Sequence, residues 1–212
     1  MKKKLILLVI SIFLVIWYQL SRAAEEFQLP IFTPSDLRST LVHPSLVGKT
    51  THEIPDFSFI NQNGETITQE SVKNKIYVAN FFFTSCPSIC IDLTKNLKLV
   101  QDAFDVNDIL ILSHSVDPKI DSIERLKKYE EINDINGKNW FFLRGDINEV
   151  IKMAQLGYFA IASVDNHIDN SLIHTENIVL IDTESRIRGV YNGTSQLEMS
   201  YLISDINKLL NK

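Results

Sequence analysis

Acidic residues are missing from the first 24 positions, which carry Lys2, Lys3, Lys4 and Arg22 instead. Cysteine is scarce: the chain has only Cys86 and Cys90, four positions apart. No proline follows Pro118, and neither an internal repeat nor a low-complexity tract is present. Each shortage excludes something. A disulfide across so short a loop stabilises by only about 2 kcal/mol, against about 4.7 for a 100-residue loop, so the cysteines are not the staple of a small scaffold. The lack of repeats excludes collagen and coiled coil, and 45% apolar with 22% charged residues is the balance of a globular domain. With the four N-terminal bases set aside, 17 basic residues face 26 acidic ones, a net charge of −9 over residues 25–212. Such a domain repels phosphate backbones, which argues against a nucleic-acid partner.

The residues that the N-terminus does contain set the compartment. Behind Lys2–Lys4, an apolar run extends from Leu5 to Leu20, broken only by Ser11 and Gln19. A basic flank before an apolar stretch marks a secretory signal or a membrane anchor. Sixteen helical residues rise about 24 Å, a little under the ~30 Å hydrocarbon core. Trp17 and Tyr18 suit the far interface. Ser21-Arg22-Ala23 offers a signal peptidase small residues, so cleavage is the alternative; both readings export the remainder of the chain. The run exceeds the usual signal core, which favours a retained transmembrane helix over residues 1–24. A linker arm at 25–50 and a domain at 51–212 come after it. In a bacterium the domain would face the periplasm from the cytoplasmic membrane.

Pro30, Pro34, Pro44 and Pro55 punctuate the arm. Asn61-Gln62-Asn63-Gly64, between 56–60 and 65–68, signals a hairpin. Residues 76–83 (IYVANFFF) are β-branched and aromatic without alternation, the pattern of a strand buried on both faces. Apolar positions at Cys90, Leu93, Leu97, Val100 and Phe104 predict a helix. Strands at 109–116, 140–143, 177–182 and 186–191 and helices at 121–131, 146–156 and near the C-terminus complete the series. The order is that of an α/β, thioredoxin-like sandwich with an added N-terminal β-hairpin.

Both cysteines lie in Thr84-Ser85-Cys86-Pro87-Ser88-Ile89-Cys90, where the central strand meets a helix. Pro87 suits the first helical position, which would put Cys86 near the N-cap and Cys90 one turn on. Unpaired helix N–H groups there stabilise a thiolate. Two functions suit such a pair: thiol–disulfide exchange through a reversible Cys86–Cys90 disulfide, and soft-metal binding. The spacing is C-x3-C, not the C-x-x-C of thioredoxin-like oxidoreductases. Those enzymes also set a cis-proline before a late strand, where this chain reads Ile173-His174-Thr175. Of the five histidines, His43 and His52 fall in the arm and His167 in a polar stretch. His114 ends a core strand. His174 directly precedes a late strand, across from the cysteine helix in a thioredoxin-type sandwich, and completes a soft copper site with the two thiolates.

The chain resembles the Sco/SenC proteins, copper chaperones that help build the binuclear copper centre of cytochrome c oxidase. The likeness is carried by Leu29-Pro30-Ile31-Phe32, Ile54-Pro55-Asp56-Phe57, Phe82 to Cys90, Ser115-Val116-Asp117-Pro118 with Asp121, Trp140 to Gly145, His174-Thr175 and Arg188 to Tyr191. The resemblance implies copper ligation by Cys86, Cys90 and His174, as Cu(I) with Cu(II) the alternative. It implies a copper-accepting subunit of a terminal oxidase as partner. Asp117 and Asp121 match acidic positions near the family's site; with His114 they are candidates for supporting it. Their local reading is simpler: Asp117-Pro118 opens a turn and Asp121 caps a helix. The chain departs from the family at Ile91, where proline is usual, and at Asp121-Ser122-Ile123-Glu124 in place of Asp-Thr-Pro-Glu. The functional expectation is a metallochaperone rather than a turnover enzyme. A thiol–disulfide reductase of acceptor cysteines and a redox or copper sensor are the alternatives.

Overall fold

The computed structural model describes residues 6, 10–19, 28–37, 42–160 and 175–211. The chain divides into two units, Met1–Pro30 and Ile31–Lys212. In the first, residues 10–19 are helical and their large apolar side chains, Phe13 and Trp17 among them, are exposed. Among the described residues no helix is long and apolar enough to cross a membrane.

The second unit is built on a five-stranded sheet beside a hairpin. The hairpin pairs β1 (Ser58–Ile60) with β2 (Thr66–Thr68), Phe59 opposite Ile67. In its turn the Asn61 side-chain oxygen accepts from the N–H groups of Asn63 and Glu65, both at 2.9 Å. Gly64 stands at φ +79°, a conformation that a side chain would strain. The central strand, β3 (Ile76–Phe82), is buried at all seven positions. That is the burial its unalternating apolar sequence predicts. With β4 (Ile109–Ser115), β5 (Trp140–Leu143), β6 (Asn177–Ile181) and β7 (Ile187–Asn192), the order is β5-β4-β3-β6-β7. The first three strands are parallel, while β6 runs antiparallel to β3 and β7 to β6.

An open sheet edge invites mispairing, and here β5 is covered by the hairpin. Ile60 and Arg144 exchange two backbone hydrogen bonds of 2.9 Å. The Gln62 amide then imitates a strand: its nitrogen donates to the Trp140 carbonyl and its oxygen accepts from the Phe142 N–H, both at 2.8 Å.

The sheet is covered on both faces. Tyr77, Ala79 and Phe81 turn towards the hairpin and towards α3 (Ile147–Lys152) with the turn after it. The other face packs against α1 (Ile89–Asp102) and α4 (Gln196–Leu210), which also pack on each other, and against α2 (Ile123–Ile132) through Tyr129 on Phe82.

Three local expectations change. The helix expected through Leu156 ends at Lys152, and Met153–Gly157 form a π-helical turn closed by the Tyr158 N–H on the Met153 carbonyl at 2.9 Å. The cap of α2 is Ser122, whose side chain accepts from the Arg125 N–H, and not Asp121. From Ile31 on, the described part of the arm belongs to the second unit: the Phe32 N–H bonds the Ile187 carbonyl, and Val42 and Leu46 are buried.

Candidate metal centre

Cys86 and Cys90 stand at the C-terminal end of β3, where the parallel strands hand over to helices. The helix starts later than Pro87 suggests: Ser88 is the N-cap and Ile89 the first helical residue. Cys86 therefore lies in the loop ahead of the helix, its N–H bonded to the Phe83 carbonyl at 3.2 Å. Cys90 remains on the first turn and is buried, while Cys86 is partly exposed; both thiols are free. The Cys90 N–H points at the Cys86 sulfur at 3.4 Å.

This asymmetry sets two different acidities. Burial pushes the Cys86 thiol up, but hydrogen bonds from the Cys90 thiol and from the N–H groups of Ser88, Cys90 and Ile89 outweigh it and lower its pKa. These are the free N–H groups of a helix start, which favour thiolate. Cys90 is pushed up to about 12, chiefly by burial and next by the Cys86 thiol. One sulfur is thus an accessible nucleophile and the other a buried partner within hydrogen-bond reach.

The loop ahead of Cys86 is pinned by a carboxylate from another element. Asp121 is fully buried. One of its oxygens accepts from the Thr84 hydroxyl at 2.5 Å, the other from the Ser115 hydroxyl at 2.5 Å, and both lie 3.3 Å from the Thr84 N–H. Arg125 completes the knot: its Nε donates to the Thr84 hydroxyl at 2.5 Å and lies 3.9 Å from the carboxylate. Arg144 holds the same turn from outside, donating to the Asp121 and Pro118 carbonyls at 2.9 and 3.0 Å. Burying a carboxylate is costly unless its oxygens find such donors. Asp121 is therefore neither a helix cap nor exposed; it fixes Thr84, two residues before the first cysteine. Sequence reasoning missed Thr84, Ser115 and Arg125 in this role. The available signal was Arg125 four residues after Asp121, a helical ion-pair spacing.

The other singled-out residues lie in different surroundings. Asp117 is partly buried, and its carbonyl accepts from the N–H groups of Ile120 and Asp121 at 3.0 and 2.9 Å, the turn expected of Asp-Pro. His114 turns to the hairpin face of the sheet, away from α1, between Phe57, Phe59, Phe81 and Tyr158. His43 bonds the Ser45 hydroxyl at 2.8 Å, and His52 the Gly157 carbonyl at 2.8 Å. His167 and His174 lie outside the described residues. Among the described residues no three His, Cys, Asp or Glu side chains gather into a metal-holding group. The donor set that is present fits a soft ion: two sulfurs at one helix start, one of them inclined to ionise.

Beside the cysteines, Thr84, Arg125, Lys128, Tyr129 and Ile132 line a groove of about 260 Å3. Tyr129 forms the wall between them. Its hydroxyl meets that of Thr94, one turn after Cys90, at 2.8 Å.

Comparison with known proteins shows what the chain is similar to. The SCO1/SenC family model matches residues 47–211. The SCO1 protein homolog of Bacillus subtilis is 29% identical over 157 residues, covering 73% of this chain and 81% of its own. The structure of BsSco, described as having a disulfide switch and as a member of the Sco family of cytochrome c oxidase assembly proteins, superposes with a TM-score of 0.62 at 28% identity. It covers 77% of this chain and 96% of that one. Yeast Sco1, solved with copper bound, shares the fold at 20% identity and a TM-score of 0.59, over 78% of this chain and 96% of its own.

Proposed function

The chain belongs to the SCO1/SenC family, and we propose that it carries copper on Cys86, Cys90 and His174 and hands it to a copper-accepting subunit of a terminal oxidase. The observation that carries this reading is the pair of free thiols at the start of α1, one buried and one partly exposed with a lowered pKa. Cu(I) favours thiolate sulfur, and an imidazole from the segment before β6 would complete a compact site of two sulfurs and one nitrogen. Cys86 faces outward, so an acceptor thiolate displaces it first, while Cys90 holds the ion until the exchange is finished. Each Cu–S bond to the acceptor forms as one to this chain breaks, and no oxidation state changes in such a transfer.

A second reading has an observation of its own. Unequal thiol acidities are what a disulfide reductase needs: Cys86 attacks an acceptor disulfide, and Cys90 resolves the mixed disulfide as its proton leaves. The acceptor gains two electrons and this chain is left with Cys86 bonded to Cys90. The two readings exclude each other at any instant, because a disulfide occupies both metal-binding sulfurs.

Competitive Cu(I) titration of the reduced full chain, with His174→Ala and Cys86→Ser alongside, separates them. The chaperone reading expects one ion per chain and weakened binding in both variants. Full copper affinity in His174→Ala, together with poor reduction of a partner disulfide, assigns the histidine to thiol chemistry instead.

We also propose that the Leu5–Leu20 run tethers the domain outside the cytoplasmic membrane. The basic flank supports it, as do the outward apolar side chains of the helix at 10–19. External protease on intact spheroplasts should digest the domain. A freely soluble mature chain beginning at Ala24 overturns the tether and leaves the export.

A further inference from the structure

The groove beside the cysteines is basic on a chain that is acidic overall, with 26 acids to 21 bases. Its two cations are differently held. Arg125 commits its Nε to Thr84, which leaves the two terminal nitrogens of the guanidinium without a partner among the described residues. Lys128, one turn further along α2, is exposed. It forms no ion pair or hydrogen bond among the described residues, although Glu124 and Glu131 lie within a turn of it. By contrast, its neighbour Lys127 is taken up by Glu130 at 2.9 Å and Asn63 at 3.1 Å. Ile132, one turn beyond Lys128, is 71% exposed, a large apolar side chain at the groove's far end. The near end is Thr84, two residues before Cys86.

We propose that this groove receives an acidic segment of the protein that exchanges copper or electrons with Cys86. A carboxylate of the partner lies between the Arg125 fork and the Lys128 ammonium, and an apolar side chain next to it covers Ile132 and the Tyr129 ring. The chemistry matches part by part. A guanidinium with its terminal nitrogens free is shaped for a carboxylate, and the lysine adds charge without demanding geometry. Because Arg125 also holds Thr84, a partner bound to its free end sits on the element that positions the cysteine loop. The inference rests on the transfer reading above in one respect only: the bound segment is placed to bring a donor or acceptor atom to Cys86.

The probe is the capped peptide acetyl-Leu-Glu-Glu-Leu-amide, titrated into 15N-labelled full chain in detergent beside its Gln-Gln counterpart. The glutamate peptide should shift the amides of Thr84, Lys128, Tyr129 and Ile132. Lys128→Glu should weaken it by roughly tenfold, as should raising salt from about 50 to about 500 mM, since the attraction is between exposed charges. Lys128 is exposed and makes no hydrogen bond or ion pair among the described residues, so this variant should fold, and its copper affinity should equal that of the parent. Equal binding of the glutamine peptide, or an unchanged affinity in Lys128→Glu, overturns the proposal. The His174→Ala chain should bind the peptide as the parent does, so loss of the copper reading and loss of the groove are told apart.

Discussion

Asp121 and His114 are both fully buried, on opposite sides of the same functional question. Around Asp121 each carboxylate oxygen has donors: Thr84 twice, Ser115, and Arg125 at the margin. Around His114 neither ring nitrogen has a hydrogen-bond partner among the described residues, and its neighbours are the rings of Phe57, Phe59, Phe81 and Tyr158. The buried hydroxyls of Tyr77 and Tyr158 on the same face interact with each other and find no further partner among the described residues. Polar groups are thus organised where the cysteine loop must be held and merely tolerated where the core only has to be filled. A satisfied buried network positions, whereas an unsatisfied buried group lowers stability without positioning anything.

The largest way to sharpen that contrast is acid. Burial lowers the pKa of His114 to about 3, against an ordinary value near 6.5. The unfolded chain therefore takes up the proton first as pH falls, so folding stability is intact above pH 6.5 and declines between 6.5 and about 3. The full loss amounts to roughly 4 to 5 kcal/mol. Tyr158 and Tyr77 stay neutral throughout, since burial raises both further above the tyrosine range. Denaturant unfolding at stepped pH should show this slope, and His114→Phe should flatten it. An unchanged slope in that variant would assign the acid sensitivity elsewhere.

Next in size is Asp121→Ala, which strands the hydroxyls of Thr84 and Ser115 and frees the cysteine loop. We expect a stability loss of about 3 kcal/mol, as for breaking a buried charged contact. Cu(I) affinity should fall roughly tenfold, as when a partner that orients a ligand is removed. Asp121→Asn, which keeps an acceptor, should lose less of both. If Asp121→Ala loses stability and keeps copper affinity, the carboxylate serves the fold alone.

The smallest effect runs the other way. At neutral pH, His114→Phe replaces a ring with two orphaned nitrogens by an apolar ring of similar shape, and should stabilise by about 1 kcal/mol. A destabilised variant would mean that the histidine has a partner, such as a buried water.

Much of this architecture is legible from residue order. The strand over Ile76–Phe82 declares itself by apolar residues without alternation, and the hairpin by Asn63-Gly64; both signals are local. The cysteine pair is equally plain. Features that stay hidden depend on distant partners. Nothing near Asp121 in sequence says that its carboxylate reaches back to Thr84, so a helix cap is the natural expectation, and Ser122 takes that place. Pro87 suggests a helix start that the structure delays to Ile89 while Cys86 turns its sulfur to the Cys90 N–H. Likewise, the prolines of the arm suggest a free linker, yet Phe32 is bonded to the edge strand β7.

The proposed copper carriage depends on the identity of three donor atoms, and X-ray absorption of the reduced, Cu(I)-loaded full chain reads them directly. Two sulfur scatterers and one nitrogen are expected, the nitrogen disappearing in His174→Ala and one sulfur in Cys86→Ser. A spectrum without nitrogen, or one that Cys86→Ser leaves unchanged, would contradict it.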